Sequence, residues 1–278
     1  MEECIDSAIN QTHHDIEIIA VDDGSTDRSP DILKKYSNKI KIITKENGGL
    51  SSALNAGIKA ATGEWVKTLD SDDVLYPNAI EELIAEAKNL QNKKNTILYG
   101  NFDFINSEGK IVDHVVEQNY DELDAFDFNV MILDHHVGNG LTVLYHKSAI
   151  DEYGMFDEKI DYHEDYELRM RYCILHNCRM QLIPKTLGKY RIHQGQMTKG
   201  NIKRTVEQGD KMRKSVLDKL NSVEREKYEI ALKQYKKNRP MRVKILHFLR
   251  FNIIPILPTY FAIKLVLAYW HMKKRKNS

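Results

Sequence analysis

Residues 16–27 read IEIIAVDDGSTD, and residues 64–73 read EWVKTLDSDD. Each is a short strand pattern that stops abruptly in aspartates. Between them lies a helix pattern over 30–38, opened by Pro30 with Ser29 as N-cap. A short strand follows at 40–43 (IKII). A helix over 50–61 then places Leu50, Ala53, Leu54, Gly57, Ile58 and Ala61 on one face at three- and four-residue spacing. Beyond the second acidic cluster, Pro77 stands near the first turn of a helix over 77–89. This alternation predicts an α/β chain with a largely parallel sheet and helices on both faces. Ligands of such sheets bind at the carboxyl ends of the strands, where both aspartate clusters fall.

From about residue 96 the pattern changes. Residues 96–105 and 110–116 read as a hairpin turning at Asn106-Ser107-Glu108-Gly109. A strand is expected at 141–146, a helix at 164–177, and short strands at 179–183 and 187–192. From about 201 the chain reads as helical, basic and poor in glycine. The expected organisation is therefore a body over 1–200 and a basic helical extension over 201–278.

Composition narrows the class. Hydrophobic residues at 42% and charged residues at 29% exclude a disordered or collagen-like chain. Three cysteines cannot build a disulfide framework, which points to a reducing compartment. The opening MEECIDSAINQ lacks the basic-then-apolar pattern of a secretory signal. The net charge of +1 hides a split: residues 1–199 sum to −13 and residues 200–278 to +14. An acidic body and a basic tail suit different partners, the tail an anionic surface. Residues 251–272 (FNIIPILPTYFAIKLVLAYWHM) are strongly apolar, but Pro255, Pro258 and Lys264 interrupt them. A helix lying in a membrane interface, with Tyr260, Tyr269 and Trp270 at headgroup depth, fits this run better than a span or a helix packed on protein.

Asp70-Ser71-Asp72-Asp73 is the sharpest chemical signal. Three carboxylates in four residues repel one another unless a cation or donor groups sit among them. Mg²⁺ and Mn²⁺ take carboxylate oxygens and share them with substrate phosphates. A solvated, helix-capping turn before Pro77 would use the same residues. An EF-hand is excluded because Leu75 occupies its obligatory glycine. Asp22 and Asp23 can accept from a nucleobase or ribose, or serve only as turn and cap residues. Asn47-Gly48-Gly49 opens a helix where backbone N–H groups can approach a diphosphate, or forms a plain strand–helix turn. Glu164-Asp165 starts a helix and offers either a general base or a cap. His193 reads as a metal ligand or as a surface histidine. The Cys173, Cys178, His163 and His176 spacing matches no ordinary zinc site, so these cysteines read as structural.

In this order, QTHHDIEIIAVDDGSTD (11–27), ENGGLSSALNAGIKAATGEWVKTLDSDD (46–73), YGMFDEKIDYHEDYELRMR (153–171) and YRIHQGQMT (190–198) resemble the family-2 glycosyltransferases of the GT-A fold. The resemblance covers roughly residues 1–200. It implies a Rossmann-like sheet and sugar transfer, usually with inversion, from a nucleotide-diphosphate donor, UDP being the family's favoured nucleotide. It implies Mn²⁺ or Mg²⁺ as cofactor. Asp23 then looks like the aspartate that contacts the base, with Asp22 beside it. Asp70, Asp72 and Asp73 match the DxD region that binds metal, diphosphate and ribose. Asp165 matches the catalytic base, and His193 a histidine that approaches metal or diphosphate in some members. The family pattern also has a strand of the VSVIIPTYN type about twenty residues before Met1. Without it, neighbouring strand edges are expected to lie unpaired.

Together these readings point to a transferase peripheral at the cytoplasmic face of the cell membrane. Its acceptor would be a glycan or lipid-linked hydroxyl in surface polysaccharide or glycolipid assembly. The alternative is an inactive domain serving as a membrane-bound scaffold. Nucleic-acid binding is not expected, because the basic tail carries no recognisable module. DSDDVL (70–75) also resembles the D-x-D-x-V-L motif of haloacid-dehalogenase-like phosphatases. Two strand–helix units precede it, however, and VDDGSTD would go unexplained.

Overall fold

The computed structural model describes residues 1–160, 163–193 and 202–238. In chain order the first half holds α1 (Glu2–Ile9), β1 (Ile19–Asp22), α2 (Ser29–Lys35), β2 (Lys41–Thr44), α3 (Leu50–Ala60), β3 (Trp65–Val66), β4 (Val74–Leu75) and α4 (Ala79–Asn89). There follow β5 (Thr96–Ile105), β6 (Ile111–Val115), α5 (Ala125–Ile132), β7 (Tyr145–His146), α6 (Lys147–Tyr153), α7 (Glu164–His176), β8 (Arg179–Arg191), α8 (Ile202–Leu217) and α9 (Ser222–Asn238). The described chain forms two compact units, one over Met1–Arg191 and one from Ile192 onward.

The expected strand–helix alternation is present. β1 and β2 pair in parallel, joined through α2, which has proline in its first turn. Ile5 of α1, Leu33 of α2 and Ile40 form a small core with Ile18, Ala20 and Ile42 against it. β3 pairs antiparallel with β7, and the larger sheet runs β4-β8-β5-β6. Its β5–β8 ladder is parallel and is the longest, so most paired positions in the protein are parallel. Among the described residues β1 pairs only with β2, and β3 only with β7. Their other edges carry no ladder.

Several expectations are redrawn. The strand expected over 64–69 pairs only at Trp65 and Val66. Beyond them Lys67 turns its ammonium to the carbonyls of Leu141 and Thr68. The strand expected over 141–146 begins instead as a 3-10 turn, Gly140–Thr142, because the Asn139 side chain accepts from the Leu141 N–H. The two strands expected at 179–183 and 187–192 are one. Pro184 and Lys185 fall where the register slips between Ile183 opposite Gly100 and Thr186 opposite Asn101. A bulge absorbs a proline that lacks an N–H. Gly100 is required there, since an added Cβ would lie 2.5 Å from Leu187 Cδ1. β4, α5 and α6 were not expected. In α5 every residue from Phe128 to Ile132 is buried, so it shows no one-sided apolar stripe.

The body is rigid around α7. Glu167 and Arg171, one turn apart, form a buried pair at 2.9 Å. Arg171 also donates to the carbonyls of Tyr153, Gly154 and Met155 at 2.7, 3.2 and 2.7 Å. Cys4, Cys173 and Cys178 are free and buried, and burial pushes the Cys4 and Cys178 thiols up to about 12. The apolar run 251–272 lies outside the described residues. Among those described, no helix is long and apolar enough to cross a membrane.

Removing one partner of a buried ion pair leaves the other charge uncompensated, at about 3–5 kcal/mol. Glu167→Ala is therefore expected to lower the thermal midpoint by on the order of 10 °C, and Glu167→Gln by less. Calorimetry on the two variants checks this.

Candidate active site

The first acidic strand end folds on itself. Asp22 is 5% exposed and accepts the N–H of Ser25, three residues on, at 2.9 Å. Gly24 takes φ +75°, and a Cβ there would stand 2.9 Å from the Asn47 nitrogen. This close approach brings the turn against the Asn47-Gly48-Gly49 segment. Asp23 accepts Lys45 Nζ at 2.6 Å, Gly48 N–H at 3.0 Å and Gly49 N–H at 2.8 Å. Partial dehydration alone would raise its carboxyl, but the lysine and the two backbone donors outweigh that and hold it below the usual range. Asp23 and Gly48 are thus brought together, and the glycine N–H groups donate to Asp23. The first turn of α3 has no side-chain cap.

The second acidic strand end is tied down by Arg191. Asp73 is 1% exposed and accepts the Arg191 backbone N–H at 2.9 Å. The Arg191 guanidinium donates to the Asp72 carbonyl at 2.8 Å, to the carbonyls of Asn106 and Ser107 at 3.2 Å each, and to Glu3 at 2.5 Å. Burial pushes the Asp73 carboxyl up to about 8, with the charges of Asp70 and Asp72 adding and the Arg191 N–H opposing. The Asp70 carboxyl rises to about 6 through loss of water, then the charges of Asp72 and Asp165. Lys67 opposes these charges from within. Burial brings its own ammonium down to about 8.

The third element is the start of α7. His163, its N-cap, takes a left-handed φ of 60°, an uncommon conformation for a side-chain-bearing residue. Asp165 Oδ2 accepts from Arg169 Nη2 at 2.7 Å, and Oδ1 lies 3.6 Å from His136 Nε2. Arg169 is fully buried and also reaches His136 Nε2 at 2.8 Å and Tyr145 Oη at 3.2 Å. A guanidinium only donates, so His136 Nε2 is an acceptor there. Burial would raise the Asp165 carboxyl, but the charge and hydrogen bond of Arg169 outweigh it and hold it well below the usual range. The neighbouring Glu164 goes the other way, up to about 7, through burial and then the charges of Asp165 and Asp70. Two adjacent carboxyls are thereby pushed apart. Asp70 feels Asp165 and Glu164 feels Asp70, so the strand-end cluster and the start of α7 share one electrostatic site.

His193 follows β8 and belongs to the second compact unit. Residues 194–198 of its motif lie outside the described residues. Among the described residues no three histidine, cysteine or carboxylate groups converge as a metal cage.

A family model described as glycosyl transferase family 2 matches residues 1–154, more than half of the chain. The chain belongs to glycosyl transferase family 2. An uncharacterized glycosyltransferase of Rickettsia typhi is 36% identical over 198 residues, which is 71% of this chain and 61% of that protein. Chondroitin synthase of Pasteurella multocida is 31% identical over 174 residues, 62% of this chain and 17% of the synthase. The chain thus spans less than two thirds of the length of these relatives. Among solved structures, S. aureus TarS 1–349 in complex with UDP-GlcNAc matches with a TM-score of 0.63 at 20% identity, over 83% of this chain and 66% of that one. At that identity the likeness carries the fold, which is GT-A.

Within this family member, sequence reasoning missed Lys45, Lys67, His136, Arg169 and Arg191. Arg169 was open to discovery, since it stands one helical turn beyond Asp165. Lys45 stands two residues before the Asn47-Gly48-Gly49 turn. His136 carries no local signal, because only the folded chain brings it to Asp165.

The raised Glu164 carboxyl predicts a pH effect. Its ordinary value is 4.5 and its folded value about 7, so across that window the folded state holds a proton that the unfolded chain has released. Stability from this group falls as pH rises through the window. Glu164→Gln is expected to remove that loss and stabilise the protein more at about pH 7.5 than at about pH 5. Urea midpoints at the two pH values measure it.

Proposed function

We propose that the chain transfers a sugar with inversion from a nucleotide-diphosphate donor, UDP-linked, to a hydroxyl of a glycan or lipid-linked acceptor. The observation that supports this reading is that the Asp70 carboxyl lies within reach of the charges of both Asp72 and Asp165. Asp165 is the base. Held ionised by Arg169, it takes the proton of the acceptor hydroxyl as that oxygen bonds to the anomeric carbon. The bond from that carbon to the diphosphate breaks, and its electron pair leaves with the nucleoside diphosphate. Asp22 and Asp23, with Gly48, form the nucleoside end of the donor site, and Asp70 and Asp72 the ribose and diphosphate end.

A divalent cation fits the second cluster. Burial and then the neighbouring charges raise the Asp70 and Asp73 carboxyls, and Mg²⁺ needs only one or two carboxylates beside substrate phosphates. Asp72 would hold it, with Asp73 and His193 as the further candidates, although Asp73 is engaged by the Arg191 N–H. Mn²⁺ or Mg²⁺ would supply charge neutralisation on the departing diphosphate. The body over 1–200 serves transfer. The basic extension over 201–278 serves contact with an anionic membrane at its cytoplasmic face, in surface polysaccharide or glycolipid assembly. The second reading is an inactive domain that serves as a membrane-bound scaffold.

The readings separate by experiment. UDP with Mn²⁺ at ~100 times its dissociation constant adds about 2.7 kcal/mol to a folded binder. That shift should appear in wild type and Asp165→Asn and vanish in Asp72→Ala. Release of UDP from UDP-GlcNAc, the donor bound by TarS, should fall about 10²–10⁴-fold in Asp165→Asn. A thermal shift without turnover in wild type would support the scaffold. No shift with any nucleoside diphosphate would overturn the transferase reading.

A further inference from the structure

On α7, Asp165 commits one oxygen to Arg169: Oδ2 accepts from Nη2 at 2.7 Å. Its other oxygen, Oδ1, lies 3.6 Å from His136 Nε2. The same Nε2 stands 2.8 Å from Arg169 Nη2. One ring nitrogen therefore faces a group that can only donate and a group that, ionised, can only accept. It cannot serve both in one protonation state. As a lone pair it accepts from Arg169 and offers Asp165 nothing. As an N–H it can donate to Oδ1, but it then meets the guanidinium donor against donor.

The distances record the first state. At 2.8 Å the Arg169 contact is a hydrogen bond, whereas 3.6 Å to Oδ1 is too long for one. A neutral imidazole with its lone pair on Nε2 carries its proton on Nδ1, which has no protein partner among the described residues. The side chain is 39% exposed, so water can accept from Nδ1–H. Arg169 favours this state. It is fully buried, and among the described residues its Nε already lies buried without a hydrogen-bond partner. A further unmet N–H on the same guanidinium would add to that cost. Without His136, Nη2 would keep Asp165 Oδ2 and could turn to the Gly138 carbonyl, 3.4 Å away. That carbonyl makes the second state attainable. Besides Arg169 and Asp165, α7 sets Tyr166 edge-on to the ring at 5.0 Å, and His163 lies 6.2 Å from it. Asp134 and His135 precede it on its own segment.

We propose that His136 is a positioning residue for Asp165 and switches between these two states with its own protonation. Neutral, it is held by Arg169 and leaves Oδ1 open to an acceptor hydroxyl. Protonated by solvent on Nε2, with Nδ1 keeping its proton, it donates to Oδ1 and closes it, and the Arg169 N–H passes to the Gly138 carbonyl. The effect on transfer rests on the reading of Asp165 as base, whereas the hydrogen-bond switch does not.

The test uses the full chain with isotope-labelled histidine and nitrogen NMR. His136 signals are assigned by their absence from His136→Gln, an exposed position at which the variant should fold, as thermal unfolding verifies. At about pH 8 the two-bond couplings should show the Nδ1–H tautomer. At about pH 5.5 a downfield Nε2–H proton should appear, and it should be missing from Asp165→Asn, whose amide keeps its oxygen on Arg169 and turns its NH₂ toward His136. The functional readout is UDP release from UDP-GlcNAc, taken within each protein as the ratio of rates at about pH 7.5 and about pH 5.5. Glutamine offers Arg169 an acceptor oxygen that does not protonate in this range. Glu164, Asp70 and Asp73, raised to about 7, 6 and 8, titrate in both proteins, so the quantity is the excess of the wild-type fall over that of His136→Gln. The expected excess is about tenfold. An Nε2–H tautomer at the higher pH, an acid spectrum unchanged by Asp165→Asn, or equal falls in the two proteins overturns the proposal. Failure of the transferase reading looks different: wild type releases no UDP at any pH, while both spectroscopic results stand and support the switch.

Discussion

Arg169 is fully buried, and among the described residues the carboxylate that answers its charge is Asp165, 2.7 Å away. A buried guanidinium without such a partner is costly, by several kcal/mol. A carboxylate in the same place without the guanidinium would rise toward neutrality, as Glu164 beside it does. The pair therefore decides which of two adjacent carboxyls is charged at neutral pH. It also decides aim. Oδ2 is held by Arg169, so Oδ1 is the oxygen left toward His136 and the space beyond. The base role proposed for Asp165 needs both a defined charge and a defined direction, and one interaction supplies them together.

The remainder of the body serves to keep that pair in register with the acidic strand ends. On α7, the Glu167–Arg171 pair lies two residues along from Asp165–Arg169, and Arg171 fastens the helix to three successive carbonyls of residues 153–155. Arg191 does the same at the other end of the site, joining β8 to the Asp72 carbonyl, to the turn after β5 and to Glu3 of α1. Each arginine satisfies several carbonyls that turns leave without a ladder partner. A buried donor fork is thus both a structural clamp and a fixed positive charge near carboxylates.

What the sequence disclosed and what it hid follow from the range of the forces involved. The acidic strand ends were legible, because an apolar run stopping in aspartates is a local pattern. So were the hairpin turn at 106–109 and the α7 start. Strand lengths were not, because pairing depends on the neighbour. Trp65 and Val66 find β7 while Lys67 finds two carbonyls, and nothing in EWVKTL signals the change. Residues 179–183 and 187–192 read as two strands, yet a bulge at Pro184 opposite Gly100 lets β8 run through. The role of Asp23 was half legible. Its place at a strand end was plain, but its engagement by Lys45, Gly48 and Gly49 requires the fold to close a gap of over twenty residues.

The acidic charge of the body then acquires a physical meaning beyond solubility. Two unit charges 4 Å apart interact by about 4 kcal/mol at the effective dielectric of a protein surface. No sequence keeps several like charges together without some device that offsets this. In the body the device is partly built in, as Lys45 against Asp23, Lys67 beneath Asp70 and Asp73, and Arg169 against Asp165. The offset is incomplete at Asp70 and Asp73, whose carboxyls remain raised. Loss of water raises them first and the neighbouring charges second, and the cation proposed for this cluster would counter both.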